Sequence, residues 1–177
     1  MQMPPFLAAG LRPSVSAILA AVLLVLPGPH GTAHARDSLG IFGKWAAFRD
    51  PAVPRCYAIA IAEPSAFSRT FQPYAAVGTW PRRGERGQVH FRLSRRLADT
   101  GRVALRIGGQ RFVLVAGQAD AWAADRSADA AIVAAMRSAP TMSVSARDER
   151  GRPFGNTYDL AGSATAMDTA TLACARP

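Results

Sequence analysis

The sequence predicts a mainly β fold, an antiparallel sandwich-like single domain with one or two short helices. Three observations point there. Apolar and polar residues alternate with period two over several short runs; in Gln88 to Leu93, Val89, Phe91 and Leu93 share one face and Gln88, His90 and Arg92 the other. Glycine-containing turn signals separate those runs, Gly108-Gly109 and Gly151-Arg152-Pro153 being the clearest. Only two segments, both alanine-rich, carry the start and stop signals of a helix.

At the N-terminus an apolar run from Val15 to Leu26 leads through Pro27 and Gly28 to Ala33-His34-Ala35. That order is expected of a secretory signal peptide, residues 1 to 35, cleaved before Arg36. The run is shorter than the roughly twenty residues that span hydrocarbon, so no membrane span is expected after cleavage. The remaining residues, 36 to 177, contain no repeat, linker or low-complexity tract and are expected to form one domain, periplasmic or secreted.

The first strand expected is Cys56 to Ile61, where Tyr57, Ile59 and Ile61 alternate with small residues, followed by Ala75 to Trp80 and Gln88 to Leu93. Gly108-Gly109 suits a two-residue hairpin loop within Arg102 to Ala116, placing Ile107 opposite Gln110, Arg106 opposite Arg111, Leu105 opposite Phe112 and Val103 opposite Leu114. Arg106 and Arg111 would then repel unless water or an anion screens them, whereas a Gly109-Gln110 loop would separate them. A helix is expected over Ala128 to Arg137, capped by Ser127 or Asp125 and stopped by Pro140. Met142 to Ala146 and Phe154 to Leu160 read as a second hairpin about Asp148 to Gly151, with Pro153 opening the return strand. A last helix is expected over Ala164 to Leu172, capped by Ser163. Trp45, Phe48, Tyr57, Trp80, Phe91 and Phe112 are the expected aromatic core, while Trp122, set among alanines and aspartates, is a candidate interaction anchor.

The full chain carries a formal charge of +9, and removing Arg12 with the leader leaves +8. Nine arginines and two acids between Arg82 and Arg111 supply +7 of that excess. Arg82, Arg83, His90, Arg92, Arg95, Arg96, Arg102, Arg106 and Arg111 are therefore candidate anion-binding residues on a basic sheet face. Compositional bias competes with that reading, since Lys44 is the sole lysine. Export and the lack of base-stacking aromatics argue against nucleic acid. An anionic envelope component, lipopolysaccharide or acidic glycan, is the favoured partner, with an envelope protein as the alternative.

Chemistry-bearing residues are few. His30 and His34 leave with the leader, so His90 alone remains and a multi-histidine metal site is not expected. No Gly-x-Ser-x-Gly, phosphate-loop or dinucleotide motif occurs. Met136, Met142 and Met167 are too dispersed for a copper box. No catalytic residue, metal or cofactor is expected, and paired carboxylates of a hydrolase are the minor alternative. Cys56 and Cys174 are expected to form a disulfide in the oxidising compartment, against a free thiol, an intermolecular bridge or a redox role.

Gly43-Lys44-Trp45, then Cys56-Tyr57-Ala58-Ile59, then a short helix, a hairpin ending in Gly151-Arg152-Pro153, and Leu160-Ala161-Gly162 with Ala166 follow one another in order. In these residues the chain resembles the invasion-associated locus B family of small secreted proteins of Gram-negative bacteria. It lacks the additional cysteines that members often carry between the tryptophan and the helix. The resemblance implies a secreted, non-enzymatic envelope or surface protein and no defined biochemical activity.

Overall fold

The computed structural model describes residues 35–98 and 101–175; the expected signal peptide lies outside them apart from Ala35. Ten strands and two helices follow in the order β1 (Asp37–Phe42), β2 (Trp45–Asp50), β3 (Arg55–Ile61), β4 (Tyr74–Trp80), β5 (Glu85–Arg92), β6 (Val103–Ile107), β7 (Gln110–Gly117), β8 (Asp120–Trp122), α1 (Arg126–Met136), β9 (Thr141–Arg147), β10 (Pro153–Asp159) and α2 (Ser163–Ala175). All the strands belong to one antiparallel sheet ordered β1-β2-β3-β4-β5-β8-β7-β6-β9-β10. The sheet turns back on itself like a sandwich. The Glu63 N–H donates to the Thr157 carbonyl at 2.8 Å, the Ser94 N–H to Asn156 Oδ1 at 3.1 Å, and Phe91 packs against Tyr158 at 5.9 Å.

The Gly108-Gly109 hairpin has the expected register: Arg106 stands opposite Arg111 and Leu105 opposite Phe112. The hairpin of β9 and β10 begins its return at Pro153, as expected. β1, β2 and β8 carry little sequence signal. A register shift between Ser38 and Gly40 breaks the alternation of β1, and three residues of β8 are too few to show a period. At α1 it is Asp125, not Ser127, that caps, its carboxylate accepting from the Ala128 N–H at 2.8 Å. Ser163 is the buried first residue of α2 rather than a cap, and its hydroxyl donates to the Met136 carbonyl. Asp129 on α1 accepts from the Val89 N–H at 2.7 Å, on β5 just beyond the end of its pairing with β8. Burial raises the Asp129 pKa against that hydrogen bond.

α2 decides which face of the sheet is inside. It packs on β1 to β4, and Cys174 on the helix is disulfide-bonded to Cys56 on β3. Mostly small side chains, Ala47, Cys56, Ala58, Ala60 and Ala75, face the core along this stretch, with Val77 beside them and Trp45 at the start of β2. The expected aromatic core is therefore half right. Trp45 and Phe91 are fully buried and Phe112 packs against the core, but Phe48, Tyr57 and Trp80 lie on the outer face, where Tyr57, itself buried, stacks on Phe48 at 5.6 Å. The bulk that α2 occupies leaves no room for them beneath β3 and β4.

The β1–β2 turn docks on the approach to α2. Gly43 has φ 59° and Gly162 φ 87°, and a Cβ at Gly162 would stand 1.9 Å from the Phe42 carbonyl oxygen. Beside them the Trp45 indole N–H donates to the Asp159 carbonyl at 2.9 Å. The disulfide closes a loop with a sequence separation of 118 residues. Replacing both cysteines with serine is expected to lower stability by up to about 5 kcal/mol in the chain-entropy picture. Denaturant titration of the two forms measures the difference.

Candidate functional site

Alternation along each strand and register between strands together determine what the outer face presents. The first row is Phe48, Tyr57, Gly78 and Gln88, one residue from each of β2 to β5. The second runs Ala46, Ile59, Ala76, His90, Trp122 and Val115 across six strands. A third comprises Ile61, Tyr74, Arg92, Asp120 and Gly117. Because β4 contributes Ala76 and Gly78 between aromatic neighbours, a cavity of about 270 Å³ opens there. Its walls include Tyr57, Tyr74, Trp80, His90 and Trp122, with Arg36 and Arg55 at one end.

Two glycines seat the indoles. A Cβ at Gly78 would meet the Trp80 ring at 2.5 Å, and one at Gly117 would meet Trp122 at 2.8 Å, so both rings lie against bare backbone. His90 stacks on Trp122 at 5.3 Å and meets Tyr74 edge-on at 5.5 Å. Its Nε2 lies 2.9 Å from Asp120 Oδ1, while Arg92 donates to Asp120 Oδ2 at 2.6 Å. Burial raises the Tyr74 phenol, helped by the nearby Asp120 charge. Asp50 lies 3.5 Å from both Arg36 and Arg55, and the Arg55 guanidinium sits 4.7 Å over the Tyr57 ring. His90 and Trp122 were legible as candidates separately. Tyr57 and Trp80 were hidden by the expectation that they face inward.

The arginine cluster does not form one surface, because β8 and β7 lie between β5 and β6 in the sheet. Arg82 and Arg83 are exposed in the short turn between β4 and β5. Arg92 is paired with Asp120, and exposed Arg96 donates to Gln118. Arg95 is only 9% exposed and acts as a staple: Nε donates to the Ser68 carbonyl, Nη2 to the Ser68 hydroxyl and Nη1 to Asp148. It offers nothing to a ligand on the sheet face. Arg102, Arg106 and Arg111 share the outer face of β6 and β7, where Arg147 of β9, which the cluster in sequence did not include, joins them. Arg106 stands between Arg111 and Ser143, and Ala104 stands opposite Ser145. The result is a hollow of about 120 Å³ containing Arg106, Arg111, Ser143 and Ser145, and an adjoining open one containing Arg102 and Arg147. Among the described residues lining both, there is no carboxylate.

Comparison with known protein families, characterised proteins and solved structures finds no match. The chemistry must be read from the side chains alone. The buried carboxylates are engaged separately: Asp50 by two arginines, Asp129 by a backbone N–H, and Asp148 by the turn around it. Both cysteines are tied in the disulfide. Among the described residues no three His, Cys, Asp or Glu side chains form a metal-binding group.

Asp148 governs the turn that receives Arg95. Burial alone would raise its pKa, but the Arg152 backbone and guanidinium, with the Arg150 N–H, pull it down to about 2. An unfolded aspartate titrates near 3.9. Its stabilisation is therefore complete above about pH 4 and lost as pH falls through about 2. Asp148→Asn is expected to lower the melting temperature at pH 7 and to flatten the stability profile between those values, which thermal melts across the acid range will show.

Proposed function

We propose that this protein is a periplasmic or secreted binding protein that engages an anionic envelope component through the strip of Arg102, Arg106, Arg111 and Arg147. The observation that carries this reading is the direct opposition of Arg106 and Arg111 in adjacent strands, beside two serine side chains and without a lining carboxylate among the described residues. Like charges placed so cost stability unless water or an anion screens them, and an anion held between the two forks would screen both. Guanidinium forks and serine hydroxyls are donors suited to the oxygens of phosphate, sulfate or carboxylate groups.

An extracytoplasmic setting agrees with the disulfide, and no described helix is long and apolar enough to cross a membrane. The leader sequence makes that setting specific: export, then cleavage before Arg36. Kinship with the invasion-associated locus B proteins is part of the same proposal. Its support is that the quoted residues are not scattered. Gly43, Trp45 and Gly162 meet at one junction, where the β1–β2 turn docks on the approach to α2. Action by binding rather than catalysis is supported by the engagement of the cysteines and the buried carboxylates in contacts within the protein.

A protein partner is the second reading, favoured by Val113 and Val115, 71% and 51% exposed on the outer face of β7 with Val115 opposite Trp122. The oxidised protein should bind purified lipopolysaccharide or a heparin-like polyanion at physiological salt, more tightly at low salt. Arg106→Gln with Arg111→Gln should weaken binding by tenfold or more, on the order expected for two lost charge-assisted contacts. Arg82→Gln with Arg83→Gln, which removes equal charge elsewhere, should change it little. Equal losses in both pairs would reduce the strip to diffuse charge and turn attention to Val113 and Val115.

A further inference from the structure

We propose that the aromatic cleft over β3, β4, β5 and β8 is a second binding site, specific for a saccharide ring that carries one carboxylate, such as a hexuronate. Three features select that class. The cavity, about 270 Å³, falls just below the roughly 300 Å³ at which sites for drug-sized ligands begin, so it suits one or two sugar rings rather than a folded partner. The Trp80 and Trp122 indoles both line it and are held against Gly78 and Gly117, giving rigid aromatic surfaces against which the C–H faces of a pyranose pack. Gln88 and Tyr74 supply polar groups beside them for hydroxyls.

The charge balance identifies the remaining group. At the Arg36 end two guanidiniums share the single carboxylate of Asp50, which leaves one positive charge in excess. Both contacts are 3.5 Å long, so neither fork is closed by a short ion pair. Outside the lining, next to His90, Arg92 and Asp120 cancel. Aromatic cages also hold quaternary ammonium groups, but a surplus guanidinium repels such a ligand and attracts a carboxylate in bidentate geometry. The acid therefore binds toward Arg36 and Arg55, with the ring over the indoles. This site shares no residue with the Arg106 strip, so either can fail without the other.

Tryptophan emission reports the cleft, because Trp80 and Trp122 line it while Trp45 is fully buried. Titration with galacturonate and digalacturonate should give a saturable change, at least tenfold stronger than with galactose. Arg55→Gln should abolish the preference for the acid, whereas Arg106→Gln with Arg111→Gln should leave it intact. In the unmutated protein, digalacturonate should shift the indole N–H resonances of Trp80 and Trp122 and leave that of Trp45 in place, a readout independent of whether the Arg55 variant folds. Equal affinity for galactose, no saturable change with digalacturonate, or indole shifts confined to Trp45 would overturn the proposal.

Discussion

The packing of α2 against the inner face of β1 to β4, with Cys174 bonded to Cys56, is the constraint from which the rest of the molecule follows. A helix can lie this close to a sheet only where both sides are small. Ala47, Cys56, Ala58, Ala60 and Ala75 meet most of that demand from the strands, and Ser163, Ala166 and Ala170 from the helix, with Val77, Trp45 and Met167 the larger side chains among them. The aromatic residues of β3 and β4 are then displaced to the other face. The outer cleft is the consequence of an interior built of alanine.

The turn at Gly43 and the approach to α2 at Gly162 complete that arrangement. Their backbones pass too close for any side chain, and the Trp45 indole closes the junction by donating to Asp159. These are residues on which the proposed kinship with the invasion-associated locus B proteins rests. Their work here is architectural: they let the β1–β2 turn dock on the approach to α2.

Electrostatics on the outer surface follows strand order rather than chain order. Arg92 and Arg106 are close in sequence, but β8 and β7 separate their strands. Asp120 neutralises Arg92 and Asp148 captures Arg95. Arg102, Arg106 and Arg111 have no such partner among the described residues, and β9 brings Arg147 to them from more than thirty positions along the chain. A run of positive charge in sequence thus divides into a structural staple (Arg95), a paired residue (Arg92), an open strip (Arg102, Arg106 and Arg111) and separate exposed arginines such as Arg82 and Arg83 in the β4–β5 turn.

Local physics made much of the fold legible. Period-two alternation placed the middle and late strands, Gly108-Gly109 determined the register that opposes Arg106 to Arg111, and two cysteines in a chain expected to be exported implied their own pairing. Those features depend on neighbouring residues or on simple counting. The side of the sheet that faces inward along β3 and β4 does not, because tyrosine, isoleucine and tryptophan alternating with alanine make both faces apolar. Only the arrival of α2, more than a hundred residues after Cys56, breaks that symmetry, since the helix needs the volume that large side chains would fill. Tertiary structure therefore decided the position of the aromatic cleft and the division of the arginines, both of which arise from contacts between elements far apart in the chain.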